Sequence, residues 1–443
     1  MNDRPLDDAA LIRAFQEAGQ GGVFRFRDRL NKAEFRALVA EARTVDLDLV
    51  ARLTREATAG EGPAPDLAPL DPVGPDSPDF GAAVAAGRDL LAAGRVAFYT
   101  VAGGQGSRLG SLIPKGCFPV GPATGRTLFS WHAGKVLAAS RRYGCDIPWV
   151  LMVSSANHDD TRAHFEENDW FGLEGRTRFV EQDMLPATDE TGKILLANPG
   201  RIALAPNGHG GSIAALWRGQ TADWLRDRGV TTLSYFQVDN PLINAADPAF
   251  LGYHAMRDAD VSAKVVRKSH PGEKAGVVAL VNGRPGVVEY TEISEEQAAA
   301  TDEHGELRYG LANIAAHAFD LDFIEKIHDR GLPFHLANKK SATVDDDGNP
   351  VRVMGHKFET FVFDSIPMAD RFVAFLTDRE QDFAPLKNAE GDDSPETVRR
   401  ALFDRARSWY ERAGFPVPES EEELEVGPER GYDFETFSEW NQR

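Results

Sequence analysis

Gly103, Gly104, Gly106 and Gly110 share the stretch Val101-Ala-Gly-Gly-Gln-Gly-Ser-Arg-Leu-Gly-Ser-Leu-Ile-Pro-Lys115 with two cations, Arg108 and Lys115. Glycines remove side chains where a backbone must turn sharply and approach a ligand, and the N–H groups bared in such a turn attract anions. The pattern points to phosphate binding, against the plain alternative of a glycine-rich turn with solvated basic residues. A Walker loop needs Gly-Lys-Ser/Thr after four intervening residues, whereas Gly110 is followed by Ser111-Leu112, so an ordinary NTPase is disfavoured. Gly104, Gly106 and Gly110 hold one residue too many for the dinucleotide fingerprint, which places a hydride-transferring enzyme a poor second.

Two further stretches carry chemistry. Asp239 directly follows the apolar run Leu233-Ser-Tyr-Phe-Gln-Val238, at the carboxyl end of an expected strand. If that strand runs parallel to the one before the glycine loop, the carboxylate sits on the same edge and suits Mg²⁺, which is held by one or two carboxylates plus substrate phosphates. Capping of the following turn is the simpler role for such a residue. Pro206-Asn-Gly-His-Gly-Gly211 is a second glycine-rich loop, leading into an expected helix over Ser212 to Arg218 whose N-terminus suits phosphate or sugar hydroxyls, or is merely capped by Ser212. His209, flanked by glycines, is expected at the crevice rather than in a core. Zinc ligation has no support, because no second His or Cys stands at a suitable spacing.

The elements that must position these groups follow from periodicity. Residues 1 to about 90 read as helical, with apolar residues three and four apart over Asp7 to Gln16, Asp28 to Glu41, Leu47 to Ala57 and Phe80 to Ala93, and a Pro/Gly-rich connector from Gly60 to Pro78. From Arg95 onward strands alternate with helices, the pattern of an α/β fold with a mainly parallel sheet covered on both faces. The expected strands are Val96 to Ala102, Trp149 to Val153, Thr177 to Glu181 and Thr232 to Val238, with helices Thr127 to Tyr143 and Asp159 to Asn168 between them. Three β-rich runs between Val261 and Tyr290 suggest hairpins beside the main sheet, and Leu311 to Phe319 a return to the crevice. Asp345-Asp-Asp-Gly-Asn-Pro350 lacks the spaced ligands of a calcium loop and reads as a hairpin turn. The expected organisation is a helical segment over 1–94, a catalytic domain over 95–384 and a C-terminal region over 385–443 with helix Thr397 to Gly414.

Composition bounds the partners. A formal net charge of −20 over 443 residues argues against a nucleic-acid or anionic-membrane surface, so an anionic ligand must be met by a local cluster of cations. Two cysteines, Cys117 and Cys145, make no disulfide framework and no metal spacing. With a polar N-terminus and no apolar run of about 18 residues, the expected setting is the cytoplasm.

The arrangement Gly-Gly-x-Gly-Ser-Arg-Leu-Gly followed by Pro-Lys resembles the signature of nucleotide-diphospho-sugar pyrophosphorylases. Taken with Gln182-Asp-Met-Leu-Pro186, Pro206 to Gly211, Val238-Asp-Asn240, Val287 to Ser294, Ala312-Asn-Ile-Ala315, Phe361-Val-Phe-Asp364 and Ala384 to Ala389, in that order, the chain resembles the UDP-N-acetylhexosamine pyrophosphorylases of the eukaryotic-type UDP-sugar uridylyltransferase family. The resemblance covers roughly residues 95 to 405 and implies a Rossmann-like nucleotidyltransferase core. It further implies that Val101, Ala102, Gly103 and Gly104 hold the uridine and triphosphate backbone, that Arg108 and Lys115 meet phosphates, and that Gln182 and Gly208 read uracil. Asp239 matches a nucleotide and Mg²⁺ position, and Asn240 beside it a nucleotide position. Glu289 and Asn313 match positions for sugar hydroxyls or the acetamido group, and Lys357 and Lys387 match lysines near the phosphates of UTP and of the sugar. Taken alone, Glu289 could be a solvated carboxylate, Asn313 a backbone-satisfying amide and the two lysines ordinary surface residues.

The resemblance implies the reaction UTP + sugar 1-phosphate ⇌ UDP-sugar + pyrophosphate, with N-acetylglucosamine or N-acetylgalactosamine 1-phosphate as sugar donor. Glucose or galactose 1-phosphate is the alternative, and a non-catalytic UDP-sugar-binding protein a second one. Two positions depart from the family pattern. His209 stands where the N-acetylhexosamine enzymes usually carry Asn; the glucose-using relatives do carry His, but followed by Gly-Asp rather than Gly210-Gly211. Thr360 stands where the family often places a lysine.

Overall fold

The computed structural model describes residues 7–57, 65–111 and 113–442, the side chain of Ser107 excepted. Residues 1–6, the stretch 58–64 with the start of the expected connector, and Leu112 of the glycine loop lie outside the described residues. The chain forms two units from interleaved segments rather than three consecutive blocks: Met1–Pro63, Gln182–Gly211 and Leu332–Val362 make one, and Ala64–Glu181, Ser212–Gly331 and Phe363–Arg443 the other. These segments do not coincide with the expected boundaries at 94 and 384. Helix Phe80–Ala92 belongs with the sheet unit because its apolar residues Ala83 and Leu91 join that core, and residues 385–443 belong there for the same reason, through Leu386, Val398, Leu402 and Tyr432.

The larger unit holds a mixed sheet of ten strands. Val96–Val101, wholly buried, pairs in parallel with Trp149–Val153 on one side and Thr232–Gln237 on the other, and Thr177–Glu181 extends the parallel set. Since these strands run the same way, the loops after Val101, Val153 and Gln237 leave from one edge of the sheet. Beyond Thr232–Gln237 the pairing turns antiparallel with Leu311–Asp320. The runs expected as hairpins beside the sheet lie within it. Val261–Arg267 sits between Leu311–Asp320 and Phe372–Leu376, and Val277–Val281 pairs with Leu67–Ala68, a strand in the expected connector. Only Val277–Val281 and Arg284–Val288 form a hairpin, turned through Asn282 and Gly283 at φ 50 and 80 as an Asn-Gly turn requires.

Helix boundaries follow local chemistry. The Thr127 hydroxyl accepts from the Ser130 amide to start Leu128–Tyr143, which ends at Gly144 in the left-handed region, φ 66. Ser394 caps Pro395–Ala413 with Pro at its first position and Gly414 at its end.

The smaller unit packs helices Asp8–Glu17, Lys32–Ala42 and Leu47–Ala57 through Leu11, Phe15, Leu38 and Val50 onto Ile194, Leu196, Ile202 and Val344. Its main hairpin joins His335–Val344 to Pro350–Glu359, with Thr188–Asp189 as a third strand. The acidic run 345–350 makes the turn: the Asp345 carboxylate accepts from the amides of Asp347 and Asn349, so it is spent on its own backbone.

Candidate active site

The glycine loop starts at a pinned edge. Ser154 Oγ donates to the Gly103 carbonyl at 3.0 Å, and Asn157 Nδ2 donates to those of Ala102 at 2.8 Å and Gly104 at 3.3 Å. Both side chains are buried, at the end of the neighbouring parallel strand. Sequence reasoning gave Ser154 and Asn157 no role, although polar residues directly after a parallel strand, beside a phosphate loop, were the available signal. A Cβ built on Gly104 would meet nothing within 4 Å, so packing does not demand glycine there and the space beside its backbone is open. Gly110 sits at φ 70, which a side chain would strain.

The loop then returns on itself. The Gly106 amide bonds the Ile113 carbonyl and the Lys115 amide the Gly104 carbonyl, which brings Lys115 back beside the loop's start. Its Nζ lies 3.0 Å from Asp239 Oδ2, with the two side chains only 19% and 13% exposed. The parallel register, Val101 opposite Gln237, is what carries Asp239 to this edge. Arg108 lies exposed on the turn Gly106–Leu109.

Glu289, Asn313 and Lys387 line one cavity of about 900 Å³, with Gly276, Glu273, Arg379 and Asp393 among its other walls. Asn313 stands at an irregularity: the register slips between Ala263 and Val265, and Ala315 two residues on has φ 54. Its Oδ1 accepts from the Ala315 amide, so it does serve backbone groups while lining the cavity. Lys387 Nζ is 3.8 Å from Asp393 Oδ2, and burial chiefly, opposed by Lys387 and reinforced by Asp239, raises the Asp393 carboxyl above its ordinary range. Arg379, which sequence reasoning passed over, binds Glu273 at 2.7 Å.

Asn240, expected at the nucleotide, turns its side chain to backbone groups. It is 4% exposed, and its amide is bonded to the Asp382 carbonyl and to the amides of Leu242 and Ala384. A side chain so committed supports the loop from beneath.

In the smaller unit, Gly208 is at φ 83, and a Cβ there would come within 2.4 Å of the Thr360 carbonyl oxygen. Thr360 replaces the family lysine with a clamp: its hydroxyl and amide both donate to the Asn207 carbonyl, at 3.0 and 2.7 Å, and its carbonyl accepts from the Gly210 amide at 2.8 Å. His209 is half-buried rather than open at a crevice. Its Nδ1 accepts from the Val362 amide at 3.2 Å and its ring stacks on Phe361 at 5.3 Å. Burial, with His335 adding to it, pushes its pKa down to about 4, so the ring is neutral near pH 7. Gln182 is buried, and Lys357 is half-buried on Pro350–Glu359, opposite Ala337. Ser212 lies inside helix Gly211–Trp217 rather than capping it.

The structure thus joins Val101 to Gly104 with Lys115 and Asp239, gathers Glu289, Asn313 and Lys387 around one cavity, and sets Gly208 and His209 against Thr360 and Phe361. A parallel sheet edge bearing a glycine loop, a returning lysine and a strand-end carboxylate fits an α/β nucleotidyltransferase. Residues 83–426 match the model of the family described as UTP--glucose-1-phosphate uridylyltransferase, and the chain belongs to that family. It is similar to UDP-N-acetylhexosamine pyrophosphorylase-like protein 1 of Xenopus tropicalis, 38% identical over 91% of this chain and 84% of the relative. It is also similar to UDP-N-acetylglucosamine diphosphorylase 2 of Arabidopsis thaliana, 33% identical over 91% of this chain and 85% of the relative. Among solved structures, the uridine diphosphate N-acetylglucosamine pyrophosphorylase from Trypanosoma brucei, in complex with inhibitor, superposes with a TM-score of 0.85 at 29% identity, covering 100% of this chain and 96% of that one. The chain is an enzyme of the nucleotidyltransferase class. No helix among the described residues is long and apolar enough to cross a membrane.

Proposed function

We propose that the chain transfers uridylyl from UTP to a sugar 1-phosphate, N-acetylglucosamine 1-phosphate first and N-acetylgalactosamine 1-phosphate next, releasing pyrophosphate. The observation that carries this reading is the half-enclosed Lys115–Asp239 pair at the mouth of a glycine loop. A phosphate oxygen of the sugar forms a bond to the α-phosphorus of UTP as the bond to the bridging oxygen of the β-phosphate breaks, and pyrophosphate leaves with that electron pair. No protein nucleophile is needed, so catalysis rests on alignment and charge compensation. The amides from Val101 to Gly104 hold the nucleotide; for Gln182 and Gly208 the family resemblance alone supports a role in reading uracil. Lys115 and Arg108 stabilise charge on the departing pyrophosphate, Lys357 meets the UTP phosphates, and Lys387 orients the attacking phosphate. Glu289 and Asn313 bind the sugar, an acceptor and an amide suited to hydroxyl and acetamido groups.

Mg²⁺ fits this donor set in one way. Among the described residues no three His, Cys, Asp or Glu side chains converge as a metal cage, so the ion would be held by Asp239 together with substrate oxygens. Bound there, it would supply charge neutralisation to the phosphates.

A pyrophosphate-release assay with UTP and a panel of GlcNAc-1-P, GalNAc-1-P, Glc-1-P and Gal-1-P tests the reading. The N-acetylated sugars should give the highest kcat/KM. Highest turnover with glucose 1-phosphate would move the chain to the glucose branch, and UTP binding without pyrophosphate release from any sugar would leave only a UDP-sugar-binding protein.

A further inference from the structure

We propose that Asn240 is a positioning residue that sets Lys387 against Asp239, coupling the nucleotide side of the site to the sugar-phosphate side. This rests on the uridylyltransferase reading above. Asn240 directly follows Asp239, and all three bonds of its amide hold backbone. Its Nδ2 donates to the Asp382 carbonyl at 2.7 Å, and its Oδ1 accepts from the amides of Ala384 at 3.1 Å and Leu242 at 3.2 Å. Two residues past Ala384, the Leu386 amide donates to the Asp239 carbonyl at 2.8 Å, and Lys387 follows. The Asn244 amide also donates to Asp382 Oδ1 at 2.7 Å, so the chain carrying Lys387 is stitched to the Asp239 loop by four bonds, two of them through the Asn240 side chain.

The loop on which this stitching is anchored is held from the other side by buried cations. Loop carbonyls outside the sheet ladder must find donors when buried. Lys135 Nζ donates to those of Pro241 at 2.6 Å and Ile243 at 2.5 Å, and an Arg405 guanidinium nitrogen to that of Leu242 at 2.9 Å. Lys264 is ion-paired with Asp247 at 2.7 Å and with Asp382 at 2.6 Å, which fixes the residue whose carbonyl Asn240 binds. Lys135, Lys264 and Arg405 are 3%, 1% and 4% exposed. A loop so anchored cannot drift to follow a displaced segment, and a misplacement of about 1 Å in an aligned site costs on the order of a hundredfold in rate. Without Asn240, Asp382 stays tied to the Asn244 amide, but among the described residues the 384–387 segment beyond it keeps one hydrogen bond to the loop, from the Leu386 amide.

The test compares wild type, Asn240→Ala, Lys387→Ala and the double variant, reading kcat and KM for both substrates, the UTP Kd, and the melting temperature. Asn240→Ala should lower kcat/KM for the sugar 1-phosphate about thirtyfold while UTP Kd stays within about threefold. In the Lys387→Ala background the same substitution should cost less than about threefold, because the group it positions is already gone. Equal losses in both backgrounds, or a UTP Kd that rises along with the loss, would overturn the proposal in favour of a merely structural amide, as would an Asn240→Ala enzyme as active as wild type. Should the alanine variant not fold, Asn240→Ser, whose hydroxyl is too short to reach the Ala384 amide, carries the same comparison. Failure of both to fold makes Asn240 a folding determinant and ends the proposal. An inactive wild type fails the uridylyltransferase reading instead, so the two failures are distinct.

Discussion

Replacing Lys115 by methionine keeps most of the side-chain volume and removes one charge. The magnitude follows from its setting. The Lys115 side chain is 19% exposed and its ammonium lies 3.0 Å from the carboxylate of Asp239, whose side chain is 13% exposed, so solvent screens the charge little. A unit charge about 4 Å from a developing charge is worth about 4 kcal/mol at an effective dielectric near 20, and part of that is offset because Lys115 must first leave Asp239. A net loss of about 2.7 kcal/mol, about a hundredfold in kcat, is expected. The assay is steady-state pyrophosphate release at saturating UTP and GlcNAc-1-P, with the melting temperature as a control for folding. The loss should fall mainly on kcat if, as proposed, the charge it compensates grows on the leaving pyrophosphate. Turnover within threefold of wild type would refute the argument and reduce the pair to a structural ion bridge.

Three other outcomes are expected. Gly208→Ala, which forces a side chain to φ 83 and into the Thr360 carbonyl, should cost about 2–3 kcal/mol in urea denaturation; a loss below about 0.5 kcal/mol would mean the loop yields freely. His209→Asn keeps an acceptor for the Val362 amide but loses the stack on Phe361, and should shift the GlcNAc-1-P to Glc-1-P ratio of kcat/KM by about tenfold; an unchanged ratio would remove this loop from sugar selection. Burial drives His132 down to about 3, with Lys135 adding to it, and burial opposed by Asp260 drives His254 down to about 4. The unfolded chain protonates both below about pH 6.5 while the folded one does not, so stability falls with pH from there, by about 2 kcal/mol per histidine at pH 5. Urea unfolding at pH 7, 6 and 5 reads this slope, which His254→Gln should reduce; a flat profile contradicts it.

Much of the candidate site could be read from local patterns because its chemistry lies in short loops directly after strands. Glycine spacing separated the loop at 103–110 from Walker and dinucleotide loops, and a carboxylate at a strand end marked Asp239. What local pattern could not supply was the meaning of side chains whose partners are far along the chain. Thr360 looked like a lost cation and is a clamp on Asn207. Asn240, expected at the nucleotide, bonds a segment more than a hundred residues away.

The sequence by itself determined the class of element at nearly every stretch, the placing of a glycine loop after a parallel strand, and the family, because periodicity, glycine placement and motif order are properties of neighbours in the chain. Tertiary structure alone decided that the N-terminal helices share a core with residues 182–211 and 332–362, that the Val261 to Tyr290 runs enter the main sheet, and that Lys115 meets Asp239. These depend on strand order and on which buried polar groups find each other across the fold. Segment order in the chain does not encode either one locally.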